Sequence, residues 1–200
     1  MKKIIKRGIV LIIILFCAFL YAHIDKLTYL YDRNIDTENF VNTGVIVDSV
    51  ISQTFTNQEN SLDGIQAKCS ITGDVTDVQI VYTLVDLETD EVIAKGTKQG
   101  LDIKNNRFNK FEFEQVTKCR GKNYKITFEE QGADETNGIS FYIVPEIQKN
   151  MQLNVKGNST QGIMVARMIT HRFDVETFGV ILIFVAYIAA FMKLLYKLFK

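Results

Sequence analysis

Between Gly44 and Val144, apolar residues recur at every second position over most of the length. That spacing restricts this part of the chain to strands of a half-buried sheet. In 62–71, Ile65, Ala67, Cys69 and Ile71 alternate with Gln66, Lys68 and Ser70. Val78, Ile80, Tyr82 and Leu84 share one phase, and Phe111 and Phe113 alternate with Glu112 and Glu114. Tyr124, Ile126 and Phe128 alternate with Lys125, Thr127 and Glu129. Further strands are expected over 44–55, 91–97 and 139–144, the last closed by Pro145, with 162–171 as a final strand. Polar clusters containing Gly and Asn separate these runs, as turns require. About eight short strands at such intervals predict an all-β, antiparallel sandwich or barrel. There is no strand–helix alternation, internal repeat, low-complexity tract or heptad run.

Each end of the chain carries an apolar run. Gly8 to Ala22 is uncharged and follows Lys2, Lys3, Lys6 and Arg7. It is short for a span of about 20 residues, but flanking Lys and Arg extend such a run by snorkelling. The rival reading is a cleaved signal peptide. Leu20 and Ala22 are a poor match to the two small residues of a cleavage site, and bulky Phe16 before Cys17 does not fit a lipoprotein signal. The retained anchor is therefore favoured. Phe178 to Met192 is the second run, continuing into a tail where Lys193, Lys197 and Lys200 share a helical face. Basic residues at both outer ends predict cytoplasmic termini and an exported middle. The expected organisation is an anchor over 1–24, a connector with one helical turn over 25–43, a β-sandwich over 44–173 and a membrane helix over 174–200.

The net charge is zero, yet the seven basic residues at the ends leave 16 basic against 23 acidic residues in the middle, a net −7. Such a balance argues against nucleic acid or anionic lipid as the partner of the middle. On the second membrane helix, Gly179, Ala186 and Ala190 share a face and are candidates for close helix packing, although small residues are also ordinary in membrane helices.

Few residues point to chemistry. Outside the cytoplasm, Cys69 and Cys119 either form a disulfide or remain as two buried, unpaired thiols. Asp86, Glu88 and Asp90 form an acidic turn, a weak calcium candidate read first as a solvated loop because no EF-hand spacing is present. His23 and His171 lie far in sequence from both cysteines and near the membrane, so no metal or other cofactor is expected. No nucleophile elbow, metalloprotease helix or phosphate-cradling glycine loop occurs. Glycoside hydrolysis would need two carboxylates at fixed separation with one desolvated, and the placeable acids lie on polar faces or in turns. Among the aromatics, most alternate into the core; Tyr142, out of phase with Phe141, is the best exposed candidate for a sugar contact.

In chain order the signals are Ile51-Ser52-Gln53-Thr54-Phe55, a polar turn, Leu62-Asp63-Gly64-Ile65, a strand ending in Leu84 to Thr89, Phe111-Glu112-Phe113, and Gly121-Lys122-Asn123-Tyr124 through Phe128. This series resembles the jelly-roll, carbohydrate-binding-module-like ectodomain of many Gram-positive membrane proteins, several of them linked to cell-envelope polysaccharide synthesis or export. The resemblance covers roughly half the chain and consists of core and turn positions, so it speaks to fold more than to function. It implies a jelly roll, in a family where a structural calcium ion is common. Larger relatives carry many membrane helices; with two here, transferase or polymerase activity is not carried over. The expectation is a non-catalytic envelope module, accessory to a polytopic membrane partner that handles polysaccharide, or binding envelope glycan itself. The alternatives are a structural subunit that recognises protein through its membrane helices, and an envelope glycan hydrolase.

Overall fold

A computed structural model describes residues 2–146 and 151–199. They form two compact units: residues 26–170, and the two chain ends up to residue 25 and from residue 171.

In the unit of the ends, α1 (Lys2–Ala22) and α2 (Val175–Leu198) pack against one another. Ala18 and Ala22 of α1 are buried at 2% and 0% exposure. Asp174 caps α2, its carboxylate accepting from the N–H groups of Glu176 and Thr177. Those bonds, with the Thr177 N–H foremost, hold that carboxyl below the usual range. At 24 residues, α2 is long and apolar enough to cross a membrane, whereas the apolar part of α1, Gly8–Ala22, is shorter. A helix of that length spans about 36 Å, against about 30 Å of bilayer hydrocarbon. Phe19, His23, Phe173 and Phe178 form a chain of ring contacts where the helices begin and end. His171 pairs with Asp25 beside them. The side chains of Lys2, Lys3, Lys6 and Arg7, and the whole of Lys200, on which the orientation reading rests in part, lie outside the described residues.

The strands, in chain order, are β1 (His23–Tyr29), β2 (Val41–Asn42), β3 (Val50–Thr56), β4 (Ser61–Thr72), β5 (Gln79–Asp86), β6 (Glu91–Gln99), β7 (Arg107–Thr117), β8 (Asn123–Gln131), β9 (Gly138–Val144), β10 (Leu153–Val155), β11 (Asn158–Thr160), β12 (Ile163–Met164) and β13 (Ala166–Phe173). They build two antiparallel sheets. One has seven strands in the order β1-β13-β4-β9-β12, with β7 also on β4 and β2 on β9; the other runs β11-β10-β3-β8-β5-β6. From β3 onward the chain changes sheet at most connections.

The two-residue period does what it predicts. Ile80, Tyr82 and Leu84 of β5 and Tyr124, Ile126 and Phe128 of β8 are all buried, while their alternate neighbours are partly or fully exposed. Facing sheets lock through aromatic rings: Phe128 stands 4.8 Å from Phe111 and 4.9 Å from Phe141, centroid to centroid. Such pairs add about 0.5–1.5 kcal/mol each beyond their burial. Buried polar groups join the layers as well. Gln53 is fully buried; its side-chain oxygen accepts from Met164 N–H at 3.0 Å and its amide donates to the Gln152 carbonyl at 3.3 Å. Among the described residues, no buried side-chain nitrogen or oxygen lacks a partner.

Two expectations change, and one open alternative is decided. The segment 44–49 is not strand; its Ile46 is buried and ties its backbone to a side chain instead. The expected connector is partly sheet: β1 borders β13, β2 pairs with β9, and Thr37–Asn39 between them forms the anticipated helical turn. Cys69 and Cys119 are both free and buried. Cys69 lies on the inner face of β4 with its thiol near the Ala67 carbonyl, whereas Cys119 lies in the turn before β8, where the Asn57 amide reaches its sulfur at 3.0 Å. The two thiols have separate surroundings, and burial pushes the pKa of each up.

Candidate ligand-binding face

The polar side of β4 is the starting point. Because Ile65, Ala67 and Cys69 take the core, Gln66 and Lys68 point outward. Register then sets their neighbours. Lys110 and Phe108 of β7 lie opposite Gln66 and Lys68, and Arg167 of β13 lies opposite Gln66 from the other side. Farther along β4, Ser70 faces Ser140 of β9, which places Tyr142 on the same outer face. The segment from Tyr29 to Asn42 crosses this face. It is held by Leu30 N–H donating to the Ala166 carbonyl and by Asn42 opposite Tyr142. Tyr31 meets Tyr29 and Phe40 edge to face at 5.5 and 5.7 Å.

Three cations are held among these rings. The Lys68 ammonium lies 5.0 Å from the Tyr142 ring centre and 5.3 Å from that of Phe40. The Arg167 guanidinium lies 4.1 Å over Phe108 and 5.5 Å from Tyr29; it donates to the Gln66 side-chain oxygen at 2.6 Å and to the Tyr29 hydroxyl at 3.0 Å. The Arg33 guanidinium lies 5.6 Å from the centre of the Tyr29 ring. Each cation–ring contact is worth about 0.5–2 kcal/mol, more as water is excluded. Among the described residues, none of the three has a carboxylate within ion-pair distance. Burial is the main cause that pushes the Tyr31 phenol up, and Arg167 and Arg33 oppose it. The Tyr142 hydroxyl donates to the Asn106 side chain, fixing the ring. The result is a set of flat apolar surfaces interleaved with cationic donors, a chemistry suited to sugars and to acidic groups.

A second notable group is Glu130, 6% exposed at the end of β8. Its two carboxylate oxygens accept from the N–H groups of Ile46 at 3.3 Å and Ile139 at 2.8 Å. Burial pushes its pKa up to about 7 against the opposing effect of those bonds and of Lys156.

The other candidates fall elsewhere. Asp86 is 3% exposed and its carboxylate is already engaged, accepting from Glu88 N–H and pairing with Lys122 at 3.1 Å. Glu88 and Asp90 are exposed in the β5–β6 turn, and the described residues contain no group of three acids, cysteines or histidines placed to hold a metal. Asp86, Glu88 and Asp90 thus belong to a hairpin turn capped by Asp86. On α2, Ala186 and Ala190 are exposed, and a Cβ at Gly179 would meet nothing within 4 Å. These three do not make the contact with α1, where the small residues are Ala18 and Ala22.

Tyr142 is identifiable from strand alternation in the sequence, and its neighbours on this face are not. Lys68 was legible as an outward residue of an alternating strand, and Tyr29, Tyr31 and Phe40 as scattered aromatics. Nothing local brings Arg167 to Tyr29, which lies 138 positions away. Glu130 had a signal: it is the next in-phase position after Tyr124, Ile126 and Phe128.

No family model and no curated protein matches the sequence. Among solved structures, the crystal structure of the infectious bursal disease virus VP2 subviral particle is similar at a TM-score of 0.29 and 8% identity, over 73% of this chain and 40% of that one. The chain thus spans well under half the length of that protein, and a likeness at this level assigns no function.

Proposed function

We propose that this protein is a cell-envelope membrane protein whose β-domain binds glycan without catalysing a reaction, as an accessory to a polytopic partner that makes or exports polysaccharide. The observation that carries the reading is the outer face of the seven-stranded sheet, where Tyr142, Phe40, Phe108 and Tyr29 surround Lys68 and Arg167. Held rings beside unspent hydrogen-bond donors are what sugar recognition needs. The repeated change of sheet along the chain supports a jelly-roll topology. The residues behind the resemblance to Gram-positive envelope ectodomains act here as core and turn: Gln53, Phe55, Leu62, Phe111, Tyr124 and Phe128 are buried, and Gly121 takes a φ of 78°. In this reading α1 and α2 both cross the membrane, with cytoplasmic ends and the aromatic cluster of Phe19, Phe173 and Phe178 at the outer interface.

The test uses the full-length protein in nanodiscs of zwitterionic lipid, titrated with purified envelope polysaccharides. Saturable binding that weakens about tenfold in Tyr142→Ala supports the reading. Absence of binding to every glycan tried, in protein that melts normally, overturns it. Chain shortening of the glycan during long incubation would instead make it a hydrolase.

A second reading has its own observation. Ala186 and Ala190 leave a small-residue surface on α2 away from α1, beside Tyr187, which is 64% exposed. A phenolic hydroxyl at mid-span prefers a partner to hydrocarbon, and small residues let a second helix approach. Ala186→Leu with Ala190→Leu would then release a membrane partner while leaving glycan binding intact.

A further inference from the structure

We infer that the outer face of the seven-stranded sheet is selective for an acidic glycan, one whose sugars carry carboxylate or phosphate groups, and that Lys68 is the cation that meets that charge. This rests on the glycan-binding reading above and adds the charge class of the ligand.

Two cations on this face hold unspent donors. An ammonium carries three N–H donors. Among the described residues, the Lys68 ammonium donates to no protein acceptor and pairs with no carboxylate; the side chain is half-buried between the rings of Phe40 and Tyr142. Arg167 has five donors and uses two of its nitrogens on neutral acceptors, the Gln66 side chain and the Tyr29 hydroxyl. This is unusual in a domain that carries more acids than bases. Three of its carboxylates pair with other lysines: Asp86 with Lys122, Glu59 with Lys26, and Glu112 with Lys110. Among the described residues, Lys68 and Arg167 are therefore cations on this face with no carboxylate in contact, within a domain that is net acidic.

Geometry favours a sugar as the carrier of the charge. The rings on either side of Lys68 are held in place, Tyr142 by its bond to Asn106 and Phe40 by its edge contact with Tyr31. A pyranose can lie on such a ring while its acidic substituent reaches the ammonium. A charge-assisted hydrogen bond is about twice as strong as a neutral one. A neutral sugar would gain the ring contact but leave Lys68 with water. Single-site affinity is modest on such an open face, and a repeating polymer gains by presenting many copies.

The experiment titrates the full-length protein in zwitterionic nanodiscs with four probes: oligogalacturonate, phosphomannan, neutral mannan and polyglutamate. The expected result is that one or both acidic glycans bind at least about tenfold more tightly than neutral mannan, with binding that weakens as salt rises from low to high. The preferred acidic glycan names the group. Lys68→Met should reduce the preference for acidic over neutral glycan about tenfold, while Lys95→Met, on the other sheet, leaves the preference as in the parent. Thermal melts of both variants should match the parent. Equal binding of acidic and neutral glycans, unmoved by Lys68→Met, overturns the charge selectivity and leaves the glycan reading standing. Binding of polyglutamate as tight as that of the acidic glycans makes the ligand an acidic protein and overturns the inference. Binding of none of the probes overturns both readings.

Discussion

Glu130 shows how one residue can set a pH response. Its folded-state pKa is pushed to about 7, above the ordinary 4.5. The folded protein therefore binds more protons than the unfolded chain between those two values. The stability this group contributes is fully present below about 4.5 and is lost as pH rises through about 7. The full difference is about 3 kcal/mol. Chemical denaturation between pH 5 and 8 should show the domain losing stability as pH rises. Glu130→Gln should flatten that dependence, at a cost of about 1 kcal/mol at the acid end of the range, because an amide nitrogen cannot accept an N–H bond as the second carboxyl oxygen does from Ile46 or Ile139. An unchanged pH profile in the variant would show that another group titrates. Opposing carboxylates act lower on the scale: hydrogen bonds, chiefly from Asn137 and Thr136, hold Asp134 at about 2, so its contribution is lost only as pH falls through that value.

Elements depend on contacts that their own sequence does not announce. Gly96 in β6 lies opposite Tyr82 in β5, and a Cβ there would come within 2.3 Å of the Tyr82 ring. The missing side chain lets the ring fold over the edge strand, meet Phe111 at 5.3 Å and donate its hydroxyl to the Glu112 carbonyl at 2.6 Å. Gly96→Val should displace the ring and destabilise the domain by about 1–3 kcal/mol despite the better strand propensity of valine. Urea denaturation gives the number, and a stabilised variant would mean that Tyr82 has another place to go. Strand length was the weak point of sequence reading. The long runs of β4, β5, β7 and β8 were legible because several in-phase residues declare a period. β10 and β11 have three residues each, and β2 and β12 two, too few to show one.

For the whole molecule, orientation and thiol state make a joint prediction. A cysteine introduced at Asn158, in the exposed β11, should react with a membrane-impermeant maleimide on intact cells. One introduced at Lys197, in the last turn of α2, should react only after permeabilisation. The native Cys69 and Cys119 should stay silent until denaturant is added, and the protein should migrate alike with and without reductant. Burial both shields these thiols and keeps them protonated, and the thiolate is the reactive form. Labelling of both introduced cysteines on intact cells would overturn the two-pass arrangement.

By itself the sequence determined the antiparallel β architecture, the inward residues of the main strands and the apolar helix near the C-terminus. These follow from periodicity and run length, which are local properties. It also marked Tyr142 as outward-facing, because a residue out of phase with Phe141 must leave the core. Only the tertiary structure decided what stands beside it. Lys68, Phe40, Phe108, Arg167 and Tyr29 come from four separate segments, and the register of β4 against β7 and β13 brings most of them onto one face. Register is fixed by packing and hydrogen bonding between distant strands, and alternation within a strand carries no record of its neighbour. The same limit explains Cys69 and Cys119: spacing allowed a disulfide, and the placement of one thiol in a core strand and the other in a turn beside Asn57 left both free.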